Sequence, residues 1–385
     1  MKNKIYTREK KFKGIEKNPA LLGFGCMRLP TLYKNKPDID EKTALNMMDI
    51  AYAHGINYFD TAYPYHDGTS ETFIGKALKK YPRSSFYLAN KMPSWLIKSG
   101  EDAKRIFEEQ LKKCQVGYFD FYLCHALNRN NFKAYQIPGV MDFLYEMKNE
   151  GKIRHLGFSF HDTPEILDQI IHAYAWDFVQ IQCNYLDWSF QDAKTQYEII
   201  ETYGVPCIIM EPVRGGLLAS LSNPSKEILK KGNSRASIAS WAIRYAASKP
   251  NVLVVLSGMS NEEQTMDNIQ TMSNFKPISN REQCIIDQAL KVFLETSTVP
   301  CTECRYCMPC PQGVDIPALF KIYNRYHITK SKMDFMREYE RFDLDQRANL
   351  CIGCGECMTY CPQHIEIPEL MKKMSALYHS IKEGN

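Results

Sequence analysis

The stretch YFDTAYPYHDG, residues 58–68, decides how the rest of this chain is interpreted. The mainly apolar segment 56–59 leads into an acid, Asp60, and then into a turn that contains Pro64 and a phenol, Tyr65. Parallel α/β folds place their chemistry where strands open into loops at one end of the sheet. Taken alone, the stretch also fits a buried aspartate that caps a turn beside a surface tyrosine. Later strand ends decide between these interpretations.

Short apolar runs alternate with longer amphipathic stretches between residues 20 and 270. The runs predict strands at 20–25, 57–59, 86–91, 119–124, 153–159, 178–183, 207–210 and 252–256. The amphipathic stretches predict helices at 41–53, 70–80, 101–113, 139–149, 164–173, 191–203, 237–247 and 262–270. Eight strand–helix pairs in about 250 residues are the pattern of an α/β protein with a (β/α)8 TIM barrel. A doubly wound sheet would need fewer strands, and Gly23 and Gly25 lack the rest of its glycine fingerprint.

Composition excludes several classes of protein. The 385 residues, with 44% hydrophobic and 24% charged side chains, describe an ordinary globular protein of one large domain plus an appendage, or of two or three domains. A net charge of +4 without a dense basic stripe argues against a nucleic-acid partner. The basic N-terminus lacks the apolar core of a signal peptide, and no run of eighteen apolar residues is present. We therefore expect a cytoplasmic protein without a membrane partner.

Fourteen cysteines in a reducing compartment need an explanation other than disulfides. Six of them are scattered through the first 290 residues, mostly in apolar segments, and read as buried free thiols. The other eight follow residue 300 in two tight runs. This shift predicts a domain boundary near residues 295–300, with a barrel over 1–295 and a second domain over 296–385.

Three consecutive predicted strands end in groups that hold or move protons. Asp60 ends the second strand and is followed by Tyr65, Lys91 ends the third strand, and His125 ends the fourth. Strand interiors favour apolar residues, so chance placement is a poor explanation. An ammonium beside a phenol stabilises the phenolate and makes it a stronger acid. A carboxylate holds the ammonium charged in a dry site, and an imidazole can orient a carbonyl oxygen or relay a proton.

In this order, Asp60, Tyr65, Lys91 and His125 resemble the tetrad of the aldo/keto reductase family. The resemblance covers about residues 18–275. It implies a barrel that binds NAD(P)H across its C-terminal face and reduces a small-molecule carbonyl by hydride transfer. Tyr65 would be the acid, Lys91 and Asp60 would tune it, and His125 would orient the substrate.

The same resemblance implies cofactor contacts after several strands: Met27, Ser159, Gln180, Val213, Gly215, Ser257, Met259 and Asn268. Ser159 and Gln180 would hold the nicotinamide carboxamide, although both also fit polar barrel side chains with satisfied hydrogen bonds. The loop 212–216 would hold the pyrophosphate, and the last helix would bind the adenosine phosphate at its N-terminus. His66 and His161 lie on the same predicted rim and are candidates for substrate contact.

Two positions depart from the family's habit. Met210 stands where many members carry a tyrosine that stacks on the nicotinamide. The last loop carries Glu262 and Glu263 where many NADPH-using members carry basic residues. Because carboxylates repel a 2′-phosphate, we expect NADH to bind at least as tightly as NADPH. The resemblance itself implies only NAD(P)H.

The eight clustered cysteines are the candidate metal ligands: Cys301, Cys304, Cys307, Cys310, Cys351, Cys354, Cys357 and Cys361. The second run has the bacterial ferredoxin spacing Cys-x2-Cys-x2-Cys-x3-Cys-Pro for a [4Fe–4S] cluster, and the first run is one residue shorter. Zinc ribbons are the alternative, but they use pairs of cysteines. The spacing predicts that three cysteines of each run bind one cluster and that the fourth reaches the other cluster.

Both runs continue alike, with CPQGVDIPAL at 310–319 and CPQHIEIPEL at 361–370. This internal duplication predicts two pseudo-symmetric lobes. It resembles the two-cluster ferredoxin domain over about residues 298–372, and implies a small, α-rich ferredoxin-like domain with two [4Fe–4S] clusters. The insert at 320–349 is long for that fold and predicts added helix.

The combined prediction is an NAD(P)H-dependent carbonyl oxidoreductase whose clusters transfer electrons, with a ferredoxin or flavoprotein as redox partner. A nicotinamide moves two electrons as hydride, each cluster moves one, and no flavin motif is visible to bridge them. The clusters could take electrons through a flavin, deliver them to the active site, or serve as structural or sensing elements. A second hypothesis is a non-catalytic or flavin-assisted iron–sulfur protein that uses the barrel as a docking module. Nicotinamide binding discriminates between the two.

Overall fold

The computed structural model describes residues 4–33, 37–296 and 298–383. Residues 1–3 of the basic N-terminus and Ser297 of the predicted domain boundary lie outside these ranges. The chain forms two compact units. The barrel unit comprises Met1–Pro212 and Ser240–Ser279, and the cysteine unit comprises Val213–Ala239 and Asn280–Asn385. The predicted boundary at 295/296 stays a prediction about how the chain divides.

The barrel unit contains eight parallel strands that close into a barrel, with β8 paired to β1. The strands are β1 Leu22–Gly25, β2 Tyr58–Asp60, β3 Tyr87–Met92, β4 Phe119–Leu127, β5 Ile153–Phe160, β6 Phe178–Gln182, β7 Cys207–Met210 and β8 Val252–Gly258. This architecture confirms the predicted (β/α)8 fold. Each predicted strand overlaps an observed one, with ends displaced by no more than three residues.

Helices connect the strands. They are α1 Glu41–Ala53, α2 Ser70–Leu78, α3 Gly100–Cys114, α4 Phe132–Tyr135, α5 Val140–Asn149, α6 Pro164–Ala173, α7 Asp187–Phe190, α8 Ala193–Tyr203, α9 Asn223–Gly232, α10 Ile238–Ala247 and α11 Glu262–Ser273. The eight predicted helices begin within two residues of their predicted starts, and three further helices, at 132–135, 187–190 and 223–232, were not predicted. Asp40 caps α1 by accepting the Thr43 N–H at 3.1 Å, which satisfies an otherwise unpaired amide of the first turn.

The barrel interior is filled by apolar side chains from alternate strand positions. Tyr58, Phe121 and Phe178 are fully buried there, together with Val254 of β8. Such layers of large side chains make the barrel a packed core rather than a pore. Asp60 and Lys91, in contrast, lie at the carboxyl ends of β2 and β3, where the loops begin.

The cysteine unit is mostly helical. Besides α9 it contains α12 Asn280–Leu294, α13 Ile316–Thr329, α14 Lys332–Tyr339, α15 Glu356–Thr359 and α16 Ile367–Lys382. The insert at 320–349 contributes most of α13 and all of α14, as predicted. A separate apolar core holds this unit together, and six of the clustered cysteines pack against it: Cys301, Cys307, Cys310, Cys351, Cys357 and Cys361.

The duplicated sequences begin equivalent helices. Asp315 precedes α13, whose second residue is Pro317, and Glu366 precedes α16, whose second residue is Pro368. Proline in the first turn loses no helical hydrogen bond and favours helix initiation. Within the described ranges, no helix has the length and apolarity needed to cross a membrane.

Candidate functional site

The ammonium of Lys91 organises the polar groups at the carboxyl end of β2 and β3. Its Nζ lies 2.6 Å from Asp60 Oδ1, 2.8 Å from the Thr61 carbonyl oxygen and 3.1 Å from Tyr65 Oη. Lys91 is 1% exposed and Asp60 3% exposed. The three acceptors use all three protons of the ammonium, so Lys91 is fully hydrogen-bonded although it is buried.

Burial and pairing act against each other in this buried ion pair. Burial lowers the pKa of Lys91, and Asp60 opposes that shift. Burial likewise raises the pKa of Asp60, and Lys91 opposes it through its charge and its hydrogen bond. Removing one partner of such a pair leaves an uncompensated buried charge. The two residues therefore depend on each other to stay ionised.

Tyr65 is buried and keeps its own proton available. Burial raises the pKa of its phenol well above the usual value, and Asp60 and Glu211 raise it further. The sequence predicted that the charge of Lys91 would lower the pKa of Tyr65. Desolvation of the buried phenol is the larger effect, so the pKa rises instead. Lys91 donates to Tyr65 Oη, so the phenol proton is not used in that bond and can be donated elsewhere. The geometry makes Tyr65 a protonated donor.

His125 lies beside Tyr65, with ring centroids 6.4 Å apart. It does not end β4, as predicted from the sequence, because the strand continues to Leu127. The pairing of β4 with β5 shifts register between Cys124 and Leu127, and Ala126 has a φ of 53°. Such a bulge re-aims a side chain next to a site. Burial and the charge of Lys91 hold the pKa of His125 well below its usual value, so its imidazole is neutral near pH 7.

Trp95 is a rim residue that the sequence analysis missed. Its indole ring lies 5.3 Å from the His125 ring, and the residue is 46% exposed. A large aromatic side chain that remains exposed beside buried titratable groups is a candidate substrate contact. The available signal was a tryptophan in the turn directly after Pro93, at the end of β3.

Ser159 and Gln180 are register partners on β5 and β6. Ser159 Oγ accepts the Ala126 N–H at 2.8 Å. Gln180 is 2% exposed, and its Oε1 accepts no hydrogen bond from any residue that the structure describes. A buried carbonyl oxygen without a donor is costly. The amide protons of a nicotinamide carboxamide would satisfy it, so this pair fits the predicted carboxamide site.

The other predicted cofactor residues fall at separate places. Asn268 Nδ2 of α11 donates to Ser257 Oγ of β8 at 2.8 Å, and Met259 directly after β8 is fully buried. Met27 is half-buried in a short 3-10 turn after β1. Val213 and Gly215 belong to the cysteine unit.

An ion pair marks the place where the sequence departs from the family habit. Glu211, the residue after β7, accepts a hydrogen bond from Arg28 Nη2 at 2.7 Å. Both side chains are largely buried, 14% and 20% exposed. The sequence analysis missed this contact because the two residues are far apart along the chain. Arg28 directly follows Met27, which was the only local signal.

Two of the rim histidines considered from the sequence are placed as follows. His66 has a φ of 53°, and its Nδ1 lies 3.0 Å from the Pro37 carbonyl oxygen. Burial lowers the pKa of His66. His161 is close enough to His125 to lower the pKa of that imidazole. His161 therefore lies near the tetrad residue His125, and His66 directly follows the tetrad residue Tyr65.

The clustered thiols that influence one another's pKa fall mainly into two groups, each of which includes the last cysteine of the other run. The thiols that influence the pKa of Cys301 are Cys304 and Cys361. The pKa of Cys307 is raised chiefly by burial, then by Cys304, Cys301 and Cys361, and last by Cys357. The thiols that influence Cys357 are Cys351, Cys354 and Cys310. We name the first group, Cys301, Cys304, Cys307 and Cys361, the first cluster set. The second group, Cys351, Cys354, Cys357 and Cys310, is the second cluster set.

These thiols fit an iron–sulfur cluster chemically. Burial raises the pKa of Cys301 to about 12 and that of Cys357 to about 11. Neighbouring thiols in a dry site cannot ionise together unless a cation joins them. Within the described residues, no three His, Cys, Asp or Glu side chains are close enough to hold a single metal ion. In a four-iron cube each thiolate binds a different iron, so its ligands are spaced more widely than those of one zinc ion.

Comparisons with known proteins match both parts of the chain. The Aldo/keto reductase family profile matches residues 21–291. The 4Fe-4S dicluster domain matches residues 300–366.

Individual relatives are distant. L-galactose dehydrogenase of Arabidopsis thaliana is 24% identical over 288 residues, 69% of this chain and 88% of that protein. NADH-specific methylglyoxal reductase of Escherichia coli strain K12 is 22% identical over 279 residues, 61% of this chain and 84% of that protein. The holo structure of aldo-keto reductase AKR11C1 from Bacillus halodurans superimposes with a TM-score of 0.59 at 24% identity, covering 74% of this chain and 96% of that one. This last likeness shows the shared fold.

The matched family spans well over half of the chain, and its barrel is the fold observed. The cysteine runs coincide with the dicluster domain. The chain belongs to the aldo/keto reductase family of oxidoreductases and carries a 4Fe–4S dicluster domain after its barrel region.

Proposed function

We propose that this protein reduces a small carbonyl compound with a nicotinamide cofactor and that Tyr65 donates the proton. The observation that carries the proposal is the three-way contact of Lys91 Nζ with Asp60, Thr61 and Tyr65. It fixes the phenol oxygen and leaves the phenol proton for a substrate. Family membership supports oxidoreductase chemistry, and the tetrad residues supply the specific roles.

Each residue of the site has a separate role in the proposed reaction. The neutral His125 orients the carbonyl oxygen towards Tyr65, and Tyr65 donates its proton to that oxygen. Lys91 stabilises the phenolate that remains, and Asp60 keeps Lys91 charged. Ser159 and Gln180 would hold the carboxamide, with Met27, Val213, Gly215, Ser257, Met259 and Asn268 as the further cofactor contacts. A bound nicotinamide would supply the hydride.

The test is Tyr65→Phe, with Tyr63→Phe as the matched control. Tyr63 lies two residues away, is half-buried and contacts Lys113 rather than Lys91. We expect Tyr65→Phe to bind nicotinamide normally and to reduce carbonyls about 10²–10⁴-fold more slowly, the range for lost general acid catalysis. Tyr63→Phe should keep its turnover. Near-normal turnover in Tyr65→Phe would show that another group is the acid.

We propose that NADH binds at least as tightly as NADPH. Glu262 and Glu263 occupy the first turn of α11, and Asn46 of α1 donates to Glu262 Oε1 at 2.6 Å, which holds that carboxylate in place. Lys249 precedes β8 and lies over the Trp188 and Tyr245 rings, so it is at the opposite end of the strand from α11. The Escherichia coli relative named above is NADH-specific.

Titrating both reduced cofactors at low and moderate salt tests this preference. Glu262→Gln combined with Glu263→Gln should tighten NADPH binding several-fold and leave NADH nearly unchanged, because only the 2′-phosphate is repelled. A wild-type preference for NADPH that fades with added salt would contradict the proposal.

We further propose that the two cluster sets hold [4Fe–4S] clusters that transfer electrons to or from a redox partner protein, a ferredoxin or a flavoprotein. The dicluster match and the two groups of thiols support this. Anaerobic isolation should yield about eight iron and eight sulfide per chain. Tightly bound zinc with negligible sulfide would exclude it. We place the protein in the cytoplasm, where such clusters and free thiols persist.

A further inference from the structure

Between β7 and α10 the chain leaves the barrel unit. Residues 213–239 belong to the cysteine unit, and the chain returns to the barrel unit at Ser240. Within the cysteine unit, α9 of this segment packs on α12. The segment that follows β7 is therefore built into the unit that carries all eight clustered cysteines.

Arg214 is the buried anchor of this segment. Its side chain is among the largest that are fully buried, at 1% exposure. Nη2 donates to Gln363 Oε1 at 3.0 Å and to the Pro300 carbonyl oxygen at 3.4 Å. Pro300 precedes Cys301, and Gln363 lies two residues after Cys361. One guanidinium thus joins the two chain segments that bring the first and the fourth cysteine to the first cluster set.

Gly215 brings the backbone of the same segment onto the first cysteine run. Its φ is +63°, and a Cβ there would lie 2.5 Å from the Thr302 carbonyl oxygen. Thr302 lies between Cys301 and Cys304. Glycine is the residue that tolerates both the left-handed conformation and the close approach.

The duplication provides an internal comparison. Ile352 stands at the repeat position of Thr302, and Gln312 at that of Gln363. Thr302 is 2% and Gln363 8% exposed, whereas Ile352 is 67% exposed and Gln312 is also exposed. The repeat nearly preserves the ligand spacing, but the residues that Arg214 and Gly215 approach, Gln363 and Thr302, are buried while their repeat counterparts are exposed. The burial of these two residues beside the first cluster set is therefore not a consequence of the duplication itself.

We propose that Arg214 is a positioning residue for the first cluster. It holds the segment before Cys301 and the segment after Cys361 together through Pro300 and Gln363, so that the four thiols of the first cluster set are in place to bind iron. This role rests on the proposed presence of two [4Fe–4S] clusters.

The positioning role is tested by Gln363→Leu and Gln312→Leu in the full-length protein, isolated anaerobically. Iron and sulfide analysis and the electron paramagnetic resonance spectrum of the reduced protein are the readouts. We expect Gln363→Leu and Arg214→Met to lose or perturb one cluster, with iron falling towards half. Gln312→Leu should match the wild type, and Arg214→Lys should recover part of the loss because it keeps the charge without the guanidinium fork.

Two results would contradict this account in different ways. Wild-type iron content and spectra in both Gln363→Leu and Arg214→Met would overturn the positioning role of Arg214. A wild-type protein without iron and sulfide would overturn the proposed clusters, and the positioning role with them.

Discussion

The first cysteine run approaches residues 213–216, whereas the second run is more exposed at Cys354 and Ile352. Cys354 is exposed, but its counterpart Cys304 is partly covered. Thr302 and Ile352 differ in the same direction. Both runs have nearly the same ligand spacing and lead into equivalent helices. The comparison shows that spacing determines which atoms can bind a cluster, while a segment outside the repeat determines how that cluster is shielded.

The largest effect should come from testing which cysteines share a cluster. Cys304→Ala with Cys361→Ala removes two ligands of the first cluster set and should leave about four iron per chain. Cys304→Ala with Cys310→Ala removes one ligand from each set and should leave far less, because both clusters are damaged. Iron and sulfide analysis of the two double variants measures this difference.

The two double variants also control for each other, since each carries Cys304→Ala and one change at a last cysteine. If each run bound its own cluster without exchange, the results would be reversed. If the double variant Cys304→Ala with Cys310→Ala retained about four iron per chain, the assignment of the cysteines to the two cluster sets would be wrong.

A smaller effect is expected from the close approach at Gly215. Gly215→Ala places a Cβ 2.5 Å from the Thr302 carbonyl oxygen, whereas at Gly216, whose φ is +92°, a Cβ would meet nothing within 4 Å. Both substitutions pay about 1 kcal/mol for the left-handed conformation, and Gly215→Ala adds roughly 1–3 kcal/mol for overpacking. Denaturant unfolding of the anaerobic protein, followed by cluster absorbance, gives the difference.

Equal destabilisation by Gly215→Ala and Gly216→Ala would show that the contact with Thr302 contributes nothing. In that case the close approach of Gly215 would not stabilise the first cysteine run, and the difference between the two runs would depend on the contacts of Arg214.

The smallest effect concerns the rate at which the clusters are lost in air. The second cluster should decay several-fold faster, because oxidation of thiolate ligands follows their exposure. The wild type should lose iron in two phases. Cys361→Ala should retain the fast phase and Cys310→Ala the slow phase. If all three proteins lost iron in a single phase at the same rate, residues 213–216 would not restrict the access of oxygen to the first cluster.

Much of this molecule was predictable because the signals were local. The eight strands and their helices follow from apolar spacing within windows of a few residues, and the observed bounds of β7 and α1 coincide with the predicted ones. The cysteine spacing likewise lies within eleven residues in each run. Asp60, Tyr65 and Lys91 could be placed together because parallel barrel strands end on one rim.

Other features could not be read from the sequence, because they depend on burial or on residues far apart in the chain. The direction of the Tyr65 pKa shift results from desolvation and from Asp60 and Glu211, rather than from Lys91 alone. The position of His125 depends on a bulge in β4 that no local sequence pattern predicted.

The sequence by itself determined the barrel, the tetrad order and the ligand spacing of the two cysteine runs. Only the tertiary structure decided that Arg214 binds Gln363, 149 positions along the chain, and that residues 213–239 join the cysteine unit. Periodicity and spacing are properties of neighbouring residues, whereas a buried cation selects its partners from whatever the folded chain brings within hydrogen-bond distance.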